Sequence, residues 1–274
     1  MRLYQMELTK LIGRRFTQIM TGLLFTVLAL QLWVESKLAV QWAASGLDDF
    51  GQYFGYKRFL ELSQYFVLYA MIWLTVVLSS FYCEDRQSRT NVLILTSVKG
   101  KLADFAARLA ASYTLAAGVM VLVLAAACGG CGLLYGYYDG GAPAEMIYLG
   151  MGEAASALAA GSIYAFTGYY LIRVLCGTLM LTGIIVWVSA ASRKAMYVLI
   201  AVSAIFWCPV MLESGLQPKG IGYLFLTGQP LWFCVVRCMH ENWTLYGWHI
   251  LLALLMAIVG SICGGRRWCR LSGQ

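Results

Sequence analysis

The sequence is poor in charge. Only 12% of its 274 residues are Asp, Glu, Lys or Arg, whereas 61% are hydrophobic and the mean hydropathy is +0.71. Soluble domains carry about 25% charged residues. A soluble fold of this length could not bury so much apolar surface, because much of any folded surface stays in contact with water. The scarcity of charge therefore excludes an ordinary soluble domain and indicates an all-α integral membrane protein.

Catalytic and metal-binding motifs are also missing. The sequence contains no G-x-x-x-x-G-K-[ST] phosphate-binding loop and no H-E-x-x-H zinc motif. Its two histidines, His240 and His249, lie beside aromatic residues at the start of the last apolar stretch, where we interpret them as interfacial side chains. We therefore expect no catalytic residue, no bound metal and no cofactor in this chain.

Charge is scarcest inside the apolar stretches themselves. Ionisable residues deep in a membrane span usually mark a pathway for ions or protons. Arg173 is the exception, and we predict that it lies close enough to the outer face for its side chain to reach water. A carrier driven by protons or sodium would need buried carboxylates, so we expect an external energy source or an apolar cargo.

What the sequence does contain is six apolar stretches, each near the 20 or so residues that cross a bilayer. The predicted spans are Phe16–Val34, Tyr65–Cys83, Leu109–Tyr135, Tyr170–Ala191, Ala195–Leu212 and Tyr246–Gly264. They leave no room for a separate soluble domain, so the whole chain is predicted to be a single transmembrane domain.

The distribution of positive charge predicts the topology. Cytoplasmic loops are enriched in Lys and Arg. With six spans, 14 of the 20 lysines and arginines fall on the side that carries both termini. We therefore predict a multi-pass protein of the cell membrane with both termini in the cytoplasm.

Residues 1–15 precede the first span and have the spacing of an amphipathic helix. The apolar side chains Leu8, Leu11 and Ile12 fit one helical face. The charged side chains of another face are Glu7, Lys10 and Arg14. This pattern favours an elbow helix lying in the inner membrane interface. The alternative is a simple cytoplasmic tail.

The segments between spans on the outer side are more apolar than ordinary loops. Residues 221–239 are rich in aromatic side chains but are interrupted by Gly228 and Pro230, so they are too broken to span. Because irregular backbone is not tolerated in contact with lipid, we predict a re-entrant outer hairpin between spans five and six. Residues 47–63 and 144–160 are predicted to be helical and interfacial.

A C-x-x-C pattern, Cys128 to Cys131, lies toward the outer end of span three. Membrane thiol oxidoreductases place such a pair near the outer leaflet, and Cys234 and Cys238 could then shuttle electrons. The competing interpretation is packing, because small residues such as Cys and Gly let membrane helices approach closely.

The segment between spans two and three, residues 84–108, is more than a connector. It begins with Glu84 and Asp85, continues with an apolar run at 92–95, and ends in a short charged helix leading into span three. The charged residues that share one face of that helix are Lys101, Asp104 and Arg108. An apolar patch with a polar rim on a cytoplasmic surface is typical of a docking site.

In this segment the chain resembles the permease subunits of type-2 ABC exporters, the ABC-2 transporter family. Their loop reads acid, Gly-Thr, a leucine run, small-Pro-x-x-basic, and a basic residue seven positions later. The matching positions here are Glu84 or Asp85, Thr90, Leu93, Ile94, Leu95, Lys101 and Arg108. Arg89 stands where glycine is usual, and Val98 where proline is usual. The order of elbow helix, six spans and outer hairpin is also similar.

The resemblance implies a cytoplasmic coupling helix between spans two and three, which docks on a separate ATP-binding subunit. That subunit would be present in two copies and would carry the ATP and Mg²⁺. The residues implied for the ATPase-coupling interface are Glu84, Asp85, Thr90, Thr96, Ser97, Lys99, Lys101, Asp104 and Arg108, with Glu7, Lys10 and Arg14 contributing through the elbow helix. A second permease chain, identical or homologous, would complete the transporter in the lipid of a bacterial cytoplasmic membrane, without nucleic acid.

The function that the resemblance implies is ATP-driven export of a hydrophobic or amphipathic compound, such as an antimicrobial peptide, a drug or a lipid-like molecule. The chain itself would not be an enzyme. Two other functions stay open: a thiol oxidoreductase that uses Cys128 and Cys131, and a non-transporting assembly or sensor subunit of the membrane.

Overall fold

The computed structural model describes residues 2–44, 54–87, 98–137, 139–143, 161–192, 194–216 and 243–271. Within these ranges the chain forms seven helices. Their bounds are α1 Arg2–Gly13, α2 Arg15–Ala44, α3 Phe54–Gln87, α4 Val98–Tyr135, α5 Ile163–Ala191, α6 Ala195–Leu216 and α7 Trp243–Leu271. The predicted outer hairpin at 221–239, with Cys234, Cys238 and His240, lies outside the described residues, as do Thr90, Thr96 and Ser97.

Five of the helices in the described ranges are long and apolar enough to cross a membrane. Their apolar segments are Arg15–Gln41, Phe54–Cys83, Leu102–Tyr135, Ile163–Ala191 and Gly247–Arg270, with mean hydropathies between 1.6 and 2.2. Many of the large side chains that α2 and α7 expose are hydrophobic, among them Ile19, Leu23, Leu251 and Ile258. Lipid tails suit such a surface. The all-helical architecture of a membrane protein is therefore confirmed.

Several helices are longer than the apolar stretches suggest. α3 begins at Phe54, so residues 54–63 are helical, as predicted, and they are continuous with a helix that is long and apolar enough to cross a membrane. Residues 98–108 are likewise continuous with α4. Residues 54–63 and 98–108 contain no proline. The helical backbone hydrogen bonds can therefore continue through them, although these residues are less hydrophobic than the rest of each helix.

Identifiable local signals set two helix ends. The Ser162 hydroxyl accepts a hydrogen bond from the amide of Ala165 at 3.3 Å and so caps the start of α5. α4 ends at Tyr135, and Gly136 follows it with a φ of +71°. This left-handed conformation is the usual helix-terminating position for glycine.

Among the described helices, α5 and α7 pack closely against each other. A Cβ added to Gly183 would lie 2.8 Å from the Ala257 Cα, and one added to Gly260 would lie 2.5 Å from the Gly183 carbonyl oxygen. Further along, Gly264 faces Val186. Residue numbers rise together in both helices, so the two run parallel. Small residues allow this approach, as is typical of membrane helices.

The remaining core lies between α3, α4 and α5. Its fully buried side chains include Phe66, Leu74 and Leu78 of α3. Polar bonds join α4 to α7, because the Tyr113 hydroxyl lies 2.8 Å from the Ser261 Oγ. At one end of the bundle, α1 meets the first turns of α4 and the last turns of α7. We call this the basic end, and we call the other one the opposite end.

Candidate functional site

A buried ionic cluster lies at the basic end. The Arg108 side chain is 1% exposed, and its Nε lies 3.0 Å from Asp104 Oδ2 and 3.6 Å from Glu7 Oε2. Asp104 and Arg108 are one turn apart on α4, whereas Glu7 comes from α1. Both carboxylates are also almost fully buried. We call these three residues the Arg108 cluster; it joins the N-terminal helix to the start of α4.

Aromatic rings from two further helices surround the cluster. The Arg108 guanidinium carbon lies 5.3 Å from the ring centroid of Trp268 on α7 and 5.8 Å from that of Phe81 on α3. The Arg14 guanidinium carbon also lies near Phe81, 4.9 Å from its ring centroid. Such positions allow cation–π attraction, which strengthens where water is excluded. Four helices, α1, α3, α4 and α7, therefore meet around one guanidinium.

Uncharged hydrogen bonds strengthen the same junction. The hydroxyls of Tyr82 on α3 and Ser112 on α4 are 3.0 Å apart, and Ser112 also donates to the Arg108 carbonyl at 2.9 Å. On the outside, the Tyr4 hydroxyl of α1 donates to Thr114 at 3.1 Å. Buried polar groups are tolerated when they are bonded in this way, so the basic end is one connected unit.

The structure brings together three of the predicted site residues, Glu7, Asp104 and Arg108. Their placement corrects one prediction: Glu7 lies on the buried side of α1 with Leu11, whereas Ile12 is exposed. The physical reason is that Arg108 offers Glu7 a countercharge inside the bundle, and charged groups are buried where they are paired. Because all three side chains are buried, they can act on a partner only by positioning other residues.

The other predicted coupling residues lie around this unit. Lys10 is exposed on α1, and Arg14 is half-buried at the break between α1 and α2. Glu84 and Asp85 belong to the last turns of α3, and Lys99 and Lys101 to the first turn of α4. The interface assigned to them stays a prediction.

A second ionic cluster, at the opposite end, was not predicted. Arg58 of α3 donates to both carboxylate oxygens of Glu35 on α2 at 2.7 Å and to Glu61 Oε2 at 2.6 Å. The Tyr135 hydroxyl at the end of α4 donates to Glu35 Oε2 at 3.1 Å. This Arg58 cluster joins α2, α3 and α4 at the opposite end of the bundle. The i, i+3 spacing of Arg58 and Glu61 was a visible signal, but Glu35 gave none.

The predictions for Arg173 and His249 are wrong. Arg173 is fully buried, and His249 is 2% exposed, both where α5 packs on α7. Because α5 begins at Ile163, Arg173 lies almost three turns inside the helix and not at its mouth. His249 lies six residues after the start of α7 at Trp243, and its side chain is buried and not exposed at the surface of the bundle.

The two cysteines of the C-x-x-C pattern differ in exposure. Cys128 is exposed and Cys131 is buried, and both are free thiols. The Tyr137 hydroxyl donates to the Cys128 carbonyl at 2.8 Å and lies 3.6 Å from its Sγ. Burial, and the hydrogen bond to Cys128, raise the pKa of Tyr137. Thiol–disulfide exchange needs access to the attacked sulfur, so burial of Cys131 gives the oxidoreductase hypothesis no support.

Comparison of the chain with protein-family models, with curated proteins and with solved structures found no match in any of the three.

Proposed function

We propose that the chain is the membrane-spanning permease subunit of an ATP-driven ABC exporter. It would move a hydrophobic or amphipathic compound across the cell membrane, powered by a separate ATP-binding subunit. The observation that carries the proposal is the Arg108 cluster, which connects the predicted coupling segment to the rest of the bundle. The sequence has no phosphate-binding loop, so in this proposal a partner supplies the energy.

The Arg108 cluster supplies a route for transmitting movement. Arg108 lies at the end of the predicted coupling segment, and it contacts Glu7 of α1, Phe81 of α3 and Trp268 of α7. Separating a buried ion pair leaves uncompensated charge in an apolar surrounding, which costs several kcal/mol. A push on residues 96–104 would therefore move the four helices together as a rigid body, one of the established modes of conformational switching.

Six crossings are part of the proposal, and helix direction supports them. α5 and α7 run parallel, so the chain between them must return from the basic end to the opposite end. α6 begins at Ala195, next to the basic end, where the Cys83 thiol contacts the Ser192 carbonyl. Its 22 residues give a length of about 33 Å, close to the hydrocarbon thickness of a bilayer.

The proposed assembly has two ATP-binding subunits and two permease chains. Exposed Lys10 of α1, with Glu84, Asp85, Lys99 and Lys101 around the 88–97 segment, would form the polar rim of the docking surface. Rim charges fix the orientation of a partner more than they add affinity. Glu7, Asp104 and Arg108 would hold this surface in place from beneath.

The decisive experiment is co-purification from the native membrane in mild detergent, followed by identification of bound chains by mass spectrometry. We expect a P-loop ATPase, and we expect Lys101→Glu to weaken its association and uncouple ATP hydrolysis from export. Lys37→Glu is the matched control, because it makes the same charge change on an exposed residue at the opposite end. Absence of any ATPase, or equal effects of both variants, would overturn the proposal.

A further inference from the structure

A cavity of about 560 Å³ lies between α3, α4 and α5 in the half of the bundle toward the opposite end. We call it the three-helix cavity. Drug-sized ligands occupy pockets of roughly 300–1,000 Å³, so its volume suits a small organic molecule. None of the residues that line it, within the described part of the chain, carries a formal charge.

The lining changes in character along the cavity. The part nearer the middle of the bundle is lined by aliphatic side chains, which are Val121, Leu124, Ala125, Leu171 and Leu175. α4 and α5 run in opposite directions, so the higher numbers on α4 and the lower numbers on α5 lie nearer the opposite end. From Tyr164 to Leu175 the helix rises about 16 Å, which gives the cavity an elongated shape.

Polar atoms collect at the outer part of the same cavity. Three tyrosines meet there: the ring centroids of Tyr56 and Tyr137 are 4.8 Å apart, and those of Tyr56 and Tyr164 are 6.2 Å apart. Cys128 and Thr167 complete this part of the lining. The cavity is therefore amphipathic, with hydrogen-bonding groups toward the membrane surface and an aliphatic interior.

We propose that the three-helix cavity binds an uncharged single-chain amphipath, of the chemical class of monoacylglycerols. Its chain would lie against Leu124, Leu171 and Leu175, and its hydroxyl or ester oxygen would lie beside the three tyrosines. A charged head group is disfavoured, because it would lose water without gaining a countercharge. This ligand class rests on the proposed function in one respect, because such a molecule would belong to the cargo expected for the exporter. Its binding to the chain needs no ATPase.

The first test measures binding of radiolabelled monodecanoylglycerol to the purified chain in lipid nanodiscs without any partner. We expect Ala125→Phe to weaken binding at least tenfold, because the larger side chain fills the cavity. Leu122→Phe is the matched control, because Leu122 is exposed on the same helix and does not line the cavity. Wild-type affinity in Ala125→Phe would overturn the proposal.

Two competition arms define the ligand class. Decanoate, with the same chain and a charged head, should compete at least tenfold more weakly than monodecanoylglycerol. Zwitterionic phospholipid should compete poorly as well; equal competition by decanoate, or by phospholipid, would assign the cavity to unspecific lipid and overturn the proposal.

A third arm uses the wild-type chain and so needs no variant to fold. Cys128 lines the cavity, whereas Cys269 lies at the basic end. Bound monodecanoylglycerol should slow maleimide modification of Cys128, followed by peptide mass spectrometry, and leave Cys269 unaffected. Equal rates at Cys128 with and without ligand would contradict the site. Because all three arms omit the ATPase, their failure leaves the permease proposal intact.

Discussion

At the scale of single residues, the molecule is unusual in where it places charge. Arg108, Asp104 and Glu7 are nearly inaccessible, and so is Arg173. A buried charge is tolerated only when other groups compensate it. Removing one partner of such a pair is costly, because it leaves the other charge buried without compensation. These residues therefore have structural consequences that exposed charges of the same chain do not have.

Replacing Arg108 is expected to destabilise the fold strongly. Arg108→Met would leave Glu7 and Asp104 buried without their countercharge, which should lower the free energy of unfolding by about 3–5 kcal/mol. Denaturant titration in detergent measures this difference. Arg266→Met is the control, because Arg266 is exposed on α7 and its loss should cost no more than about 0.5 kcal/mol. Similar losses in the two variants would contradict the cluster.

The Arg58 cluster at the opposite end should be weaker, because Arg58 retains 19% exposure and water screens the pair. Tyr135→Phe removes one hydroxyl bond to Glu35 and should cost about 1 kcal/mol. The matched variant is Tyr65→Phe on α3, where the side chain is exposed and little change is expected. The same denaturant titration in detergent compares both variants, and a larger loss in Tyr65→Phe would contradict the assignment.

At the scale of helices, close packing of α5 on α7 depends on Gly183 and Gly260, whose backbones nearly touch. Glycine within a helix normally lowers stability relative to alanine by up to about 1 kcal/mol. Here the absence of a side chain is what lets the helices approach, so the usual effect of a glycine-to-alanine change should reverse.

Two alanine substitutions with opposite signs test this packing. Gly183→Ala places a Cβ 2.8 Å from the Ala257 Cα and should lower the free energy of unfolding by about 1–3 kcal/mol. Gly118→Ala on α4 meets no atom within 4 Å and should raise it by up to about 1 kcal/mol. The measurement is unfolding in mixed detergent micelles. The same sign for both variants would show that the α5–α7 contact is not tight.

Helix positions were more predictable than helix faces. The apolar stretches located α2 to α7 because lipid demands hydrophobic length. The start of α3 at Phe54 could not be predicted. Hydropathy indicates which part of a helix is apolar enough for lipid, but it does not indicate the residue at which the helix begins. The pairing of Glu35 with Arg58 also escaped prediction, because it depends on how two helices turn toward each other. For the same reason Glu7 was assigned to the wrong side of α1.

At the scale of the whole molecule, the bundle has two chemically different ends. The basic end is locked by the Arg108 cluster and carries exposed arginines such as Arg266 and Arg267. The opposite end is held by the Arg58 cluster and opens into the three-helix cavity. In the proposed exporter this separation has a use: movement enters at one end, while a ligand is held near the other.

The orientation of these ends in the membrane gives the last prediction. Positive charge is retained on the cytoplasmic side, so the basic end should face inward and Lys37 outward. In a variant lacking native cysteines, Lys37→Cys should react with a membrane-impermeant maleimide on intact cells, and Arg266→Cys only after permeabilisation. α2 begins at the basic end and Lys37 lies 22 residues along it, about 33 Å, so one bilayer should separate the two sites. Labelling of Arg266→Cys on intact cells would place the predicted coupling segment outside the cytoplasm, where no ATPase could reach it.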